Sequence, residues 1–313
     1  MEYYEFPAMN TTVMLAADCH PEGLETGFRA VRQFVEGCEQ RFSRFRDDSE
    51  LSALNLSAGG WFRSSSEMFN LIEETFVLHR LTGGLFDPSI LDALIQSGYD
   101  RSMDEIRRAG PQPHRTSRPW RRPLFNAIRL DPARQAILLP RGVQIDLGGV
   151  AKGWIAERAV EILRQFSPVC AVSAGGDMAL TGFPEGQPGW KISLEDPRDS
   201  NRVLAVLTVG PGAVATSSVT KRHWLVGDQP RNHIIDPRTG LSIQPAWLSV
   251  TVVTEKATHA EAFAKAFLIS NPEEAPGMAA REPGLRWLAV RPDGSIWGTL
   301  DSKELMDVGE RSL

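Results

Sequence analysis

Four short segments of this chain hold the residue types best suited to chemistry. In IDLGGVAKGWIAERA, Asp146 ends an apolar run, Gly148 and Gly149 permit close backbone approach, and Lys152 stands where a helical pattern begins. A glycine turn leading into a helix presents free amides and the positive end of the helix dipole, which suits a phosphate or pyrophosphate. In RNHIIDPRTG, His233 and Asp236 stand three residues apart. A histidine takes or relays a proton near neutral pH, and a nearby carboxylate can fix its tautomer or hold a metal, so the pair is a candidate acid-base centre. GLFDPS and AGGD place Asp87 and Asp177 beside turn-forming residues, where a carboxylate can meet a metal, a ribose hydroxyl or a ring nitrogen. Each motif also has an ordinary reading: a plain glycine turn, Asp236 capping the Pro237 turn beside an edge-strand His233, and Asp87 and Asp177 as turn caps. Taken singly, most of these motifs favour the ordinary reading. Their occurrence together favours a site.

The elements that position these residues follow from hydrophobic period. TTVMLAA (Thr11–Ala17) reads as a strand, and Leu24 to Cys38 as an amphipathic helix carrying Leu24, Phe28, Val31, Val35 and Cys38 on one face. FSRFRDDSELSALN is polar, with Arg44, Arg46, Glu50 and Asn55 around a short turn. A second helix starts near Ser64, which has capping-box spacing to Glu67, and stops at Gly83-Gly84. RRAGPQPHRTSRPWRRP, Arg107 to Pro123, reads as an arginine- and proline-rich surface loop. Ala127 to Leu130 with Ala136 to Leu139 reads as a hairpin, Val143 to Leu147 as a strand, and Lys152 to Leu163 as a helix. The second half is richer in strands: Val169–Ser173, Trp190–Ile192, Leu204–Val209, Ala213–Thr216 and Leu248–Thr254. A helix from Thr258 to Ile269 and a hairpin (Trp287–Val290, Ile296–Thr299) close the pattern. Strands joined by short turns and interrupted by few helices indicate an α+β fold. No GxGxxG follows the first strand and no GxxxxGK[ST] occurs, so neither common dinucleotide fold is supported.

Composition narrows the classes further. The 313 residues are 42% hydrophobic and 23% charged, as in a soluble globular protein. A net charge of -5 argues against a broad nucleic-acid footprint, so any anion site must be local. Three cysteines, Cys19, Cys38 and Cys170, fall at no ligand spacing and read as structural thiols. No stretch reads as a leader or a membrane span, so the sequence as written suggests a cytoplasmic protein.

Together, DLGGVAKG, SAGGD, HIIDPRTG and SVTVV followed by an alanine-rich helix occur in the order, and at about the spacing, of the ApbE family of FAD:protein FMN transferases. This chain resembles that family. FPAMNTTV is similar to its opening Ala-Met-Gly-Thr strand, FSRFRDDSELSALN to its Ser-Arg-Phe and Ser-Glu...Leu-Asn segment, and GLFDPSI to its Gly-x-Phe-Asp-Pro-Thr. The resemblance spans Phe6 to Ile269. It implies one α+β domain over 1–313, with mixed or antiparallel sheets flanked by helices and FAD held between two lobes. It also implies a magnesium ion beside the pyrophosphate, and a target flavoprotein whose threonine or serine accepts FMN as AMP leaves. Carried over by motif, the catalytic positions are His233, Asp236 and Lys152. Those around FAD are Met9, Asn55, Asp87, Asp146, Gly148, Gly149, Lys152, Asp177, Thr216, Ser217 and His233.

The metal positions are Ala151, Glu261 and Lys265, and here the chain departs from the family. The family's aspartate, and its threonine four residues on, read Glu261 and Lys265 in HAEAFAKAF. Spacing of four puts both on one helical face. A lysine is no metal ligand, so Lys265 is expected to take the ion's place as a point charge paired with Glu261. The alternatives are a weakened magnesium site and an ordinary exposed helical ion pair. Asn10 replaces the family glycine after Ala-Met, and Ser217-Ser218-Val219-Thr220 replaces its Ser-Gly-x-Tyr. Besides transfer, the sequence leaves room for an FAD hydrolase or for an FAD-binding protein without chemistry.

Overall fold

Eight strands pair side by side, every contact antiparallel, in the order Glu2–Ala8, Thr11–Ala17, Cys170–Ala174, Asp177–Thr181, Gly212–Ser218, Ser249–Thr254, Arg286–Val290 and Ile296–Gly298. The computed structural model describes residues 1–18, 23–113, 125–244 and 246–300, together with the backbone of 305–306. The period of two along each strand sends alternate side chains to opposite faces. Val13, Leu15, Val172, Ala215 and Val252 face one hydrophobic cluster, which contains the Leu24–Phe42, Ala151–Arg164 and Ala257–Ile269 helices. Ala16, Leu180, Val214 and Val253 face another, closed by Trp190, Ile192, Leu207 and Val209 of the Trp190–Asp196 and Asp199–Val209 hairpin. With both faces covered, Ser249–Thr254 is buried along its whole length. The architecture is α+β, as the strand-and-turn pattern indicates.

The first strand, Glu2–Ala8, is absent from the sequence reading because its outward residues are polar or aromatic without a clean apolar alternation. Met9 and Asn10 form the two-residue turn that joins it to Thr11–Ala17, with φ of 54° and 53°. Two positive φ values define the hairpin turn whose twist matches that of the strands, and asparagine tolerates that region, which explains Asn10 in the position of a glycine.

Four expectations are corrected. Val143 to Leu147 joins no sheet; the buried Asn55 amide instead clasps Ile145, accepting from its N–H at 2.8 Å and donating to its carbonyl at 2.9 Å. The side chain does locally what a neighbouring strand would do. FSRFRDDSELSALN contains a helix, Glu50–Leu56, started by Ser49, whose hydroxyl accepts from the Ser52 amide. The cap of the Ser66–Leu81 helix is Ser65 rather than Ser64, and its reciprocal carboxylate is Glu50 from the preceding helix rather than Glu67. Arg107 and Arg108 end the Met103–Ala109 helix instead of opening a loop; 114 to 123 lie outside the described residues, as does Cys19. Cys38 is buried, and burial pushes its thiol up to about 12, in keeping with a structural role. No helix among the described residues is long and apolar enough to cross a membrane.

Candidate functional site

A cavity of about 380 Å³ opens where the glycine turn, the start of the Ala151–Arg164 helix and the His233 segment meet. Its wall includes Asp87, Asp146, Gly148, Gly149 and Ala151. Met9, Lys152, His233 and Lys265 line it as well, so residues spread over more than 250 positions of sequence converge on one space.

Helix-on-helix contact sets the floor. A Cβ on Gly153 would lie 2.5 Å from the carbonyl of Ala257, so only glycine lets the Ala151–Arg164 and Ala257–Ile269 helices approach this closely. That approach brings Glu261, with no exposed surface, under the N-terminus of the first helix. Its Oε2 accepts the Gly153 amide at 2.8 Å. Its Oε1 accepts from Lys152 Nζ and from Lys265 Nζ, each at 3.0 Å. Lys152 also bonds Asp177, which follows the left-handed Gly175 and Gly176. The glycine-turn expectation needs one correction here: the helix's Gly153 amide is taken by a protein carboxylate and not left for a ligand.

Charges are tuned accordingly. Burial alone would raise the Glu261 carboxyl, but the two ammoniums and the Gly153 amide hold it down to about 2. Burial pulls the Lys152 ammonium down to about 8 against the attraction of Glu261. Lys265 is lowered for the same reason. Burial, then the positive charges of Arg222, Lys265 and Lys152, push His233 well below its ordinary value. His233 is therefore a neutral imidazole at pH 7, and its Nδ1 is buried with no hydrogen-bond partner among the described residues.

A hard divalent cation needs several oxygen ligands free to face it. Here both oxygens of Glu261 are engaged, two of their three partners are ammoniums, and no group of three or more His, Cys, Asp or Glu stands together among the described residues. The donor set does not fit a magnesium ion. The Glu261–Lys265 pair is also not the exposed helical ion pair of the ordinary reading, since the carboxylate is buried and the lysine side chain only 15% exposed.

Other expected residues stand back from the cavity wall. Asn55 is committed to Ile145. Asp177 and Glu261 act on Lys152 from behind. Thr216 shares its hydroxyl with Thr251 at 2.8 Å, and Ser217 is buried in the same strand. Asp236 bonds the Arg238 amide at 2.8 Å and the Arg238 guanidinium, setting the turn between Ile235–Asp236 and Leu241–Ser242. Two residues, Ile234 and Ile235, separate it from His233, which lines the cavity where Asp236 does not.

Two arginines escaped the sequence reading as site residues. Arg44, its side chain only 6% exposed, sets its guanidinium over the rings of Phe45 (4.1 Å) and Tyr99 (4.5 Å), which meet edge to face, with its Nε 3.6 Å from Asp146 Oδ1. Arg222 lines the cavity, and its guanidinium has no hydrogen-bond or ion-pair partner among the described residues. Its only sequence signal is its place after the Ser217–Thr220 turn.

A sheet buried on both faces, with an internally braced lysine cluster opening into a cavity beside a neutral histidine, makes up this α+β protein. The model described as the ApbE family matches residues 9–289, and the chain belongs to that family. The FAD:protein FMN transferase of Treponema pallidum is 27% identical over 314 residues, covering 93% of this chain and 84% of its own length. That of Vibrio cholerae is 26% identical over 270 residues, covering 80% and 75%. Among solved structures, the ApbE protein of Thermotoga maritima is similar with a TM-score of 0.79 at 27% identity, covering 95% of this chain and 96% of its own.

Proposed function

We propose that this chain is an FAD:protein FMN transferase, acting as one unit of two lobes on FAD and on a serine or threonine hydroxyl of a target flavoprotein. The observation that carries the reading is the buried Nδ1 of a neutral His233, without a partner among the described residues and set in the same cavity as Lys152, Lys265 and Arg222, whose guanidinium is likewise unpaired among them. A neutral imidazole has a lone pair with which to take a proton, and the cations around it keep the ring neutral. The cavity also carries Phe42, Phe45, Phe86 and Tyr99, apolar surface of the kind that a planar ring system requires.

In the step this arrangement supports, the acceptor hydroxyl gives its proton to His233 as its oxygen attacks the phosphorus of the FMN half of the diphosphate. The bond from that phosphorus to the bridging oxygen breaks, and AMP departs with the bridging oxygen and its electron pair. The acceptor keeps FMN through a phosphoester. Lys152 and Arg222 offset charge on the phosphoryl oxygens. Asp236 acts as a positioning residue by fixing the turn that follows His233.

The test is to incubate the purified protein with FAD and a candidate acceptor and to weigh the acceptor. A mass increase of one FMN less water, with one AMP released, supports transfer. AMP release with an unmodified acceptor identifies a hydrolase, and FAD binding with neither product identifies a binder.

A further inference from the structure

We infer that an array of cationic side chains, Lys265 and Lys152 held by Glu261 together with Arg222 on the same wall, takes the place of a divalent ion at the diphosphate, so that the site binds its substrate without metal. This rests on the reading of FAD as substrate, and it goes beyond it by assigning the charge neutralisation to residues of this chain.

Glu261 is the anchor. It is a carboxylate with no exposure, and both of its oxygens are engaged, by two ammoniums and a helix amide. It fixes Lys265 Nζ through Oε1 at 3.0 Å and through its own backbone carbonyl at 3.4 Å. The stem of Lys265 lies along the glycine turn: a Cβ at Gly149 would stand 3.4 Å from its Cδ and Cε. The turn that classically would be read as a phosphate cradle therefore also serves as a channel that carries an ammonium to the cavity wall.

The charges support the same conclusion. Lys152 and Lys265 bond Asp177 and Glu261, and Arg44 stands beside Asp146, whereas the guanidinium of Arg222, on the same cavity wall, has no ion-pair partner among the described residues. That guanidinium is open to an incoming anion. A divalent cation approaching Glu261 would instead have to displace two ammoniums from one oxygen, and no second carboxylate among the described residues stands with Glu261 and a further ligand to receive it. Like-charge repulsion and the missing oxygens both exclude that exchange.

The experiment is calorimetric titration of FAD, and separately of inorganic pyrophosphate, into protein stripped with chelator and into the same protein with magnesium restored. Expected is an FAD affinity that changes by no more than about twofold between the two conditions. Removing one charge-assisted contact in Lys265→Ala or Arg222→Ala should weaken binding about tenfold to a hundredfold in both, and Lys265→Arg should recover most of it. Should Lys265→Ala fail to fold, Arg222→Ala, on the cavity wall and outside the packed core, carries the test. FAD binding that appears only when magnesium is restored overturns the inference, as does Lys265→Ala binding FAD like the parent. Pyrophosphate separates the two levels: if it binds in chelator while FAD binds in neither condition, the cation array stands and the FAD reading falls.

Discussion

Asn55→Ala gives the sharpest test of how the site is held. The Asn55 side chain makes two hydrogen bonds, 2.8 and 2.9 Å, to the N–H and C=O of Ile145, a residue with no exposed surface. Truncation leaves both backbone groups buried without a partner, and such a group costs about 1–3 kcal/mol. Allowing for partial relaxation, the loss should be about 2–4 kcal/mol. Ile145 is followed by Asp146, Gly148 and Gly149, so the same change loosens the turn against which Lys265 lies. Urea unfolding gives the stability, and FAD titration at low denaturant gives the affinity. Both should fall in Asn55→Ala. Asn55→Asp keeps the acceptor for the Ile145 N–H but loses the donor to its carbonyl, so it should be destabilised too. A variant that unfolds like the parent within about 0.5 kcal/mol, the ordinary scatter of a neutral surface change, while FAD binding drops, would refute the argument and return Asn55 to direct contact with the ligand.

Further outcomes follow from the same geometry. His233→Ala should lower kcat by about a hundredfold to ten-thousandfold with little change in FAD affinity, measured by calorimetry beside AMP release. Because His233 is held well below its ordinary pKa, the parent's rate should show no loss of base as pH falls through about 6.5, and an inflection there in kcat/KM would contradict a neutral His233. Free Lys152 titrates at about 8, and a bound diphosphate favours its charged form and raises that value. The complex therefore holds more protons than the free protein above this pH, so FAD affinity should be at its full value below about 8 and weaken as pH rises beyond it; calorimetry in buffers of different ionisation heat should register proton uptake on binding. Gly153→Ala puts a Cβ 2.5 Å from the Ala257 carbonyl and should destabilise the fold by about 1–3 kcal/mol or more by forcing two helices apart, read as a lower melting temperature with weakened FAD binding.

Much of this protein was legible without coordinates, because the signals involved are local. Short apolar, β-branched runs marked Thr11–Ala17 and Leu248 to Thr254, helical spacing marked Leu24 to Cys38 and Lys152 to Leu163, and positive-φ turns were visible as Gly83-Gly84 and Gly175-Gly176. Motif order then pointed to Lys152, Asp177 and His233 as one site, and to Glu261 and Lys265 as a departure. Tertiary structure decided what each of these groups does, since partners and burial come from residues distant in sequence. Glu261 bonds a helix more than a hundred positions away, and Asn55 completes a segment ninety positions on. Neither bond has a sequence period to reveal it. Arg222 offered no pattern at all; what distinguishes it is a missing counter-charge, and that depends on where every neighbouring carboxylate points. Sequence therefore determined the fold class and the cast of residues, while the pairing of charges in a desolvated space, set by long-range packing, determined their roles.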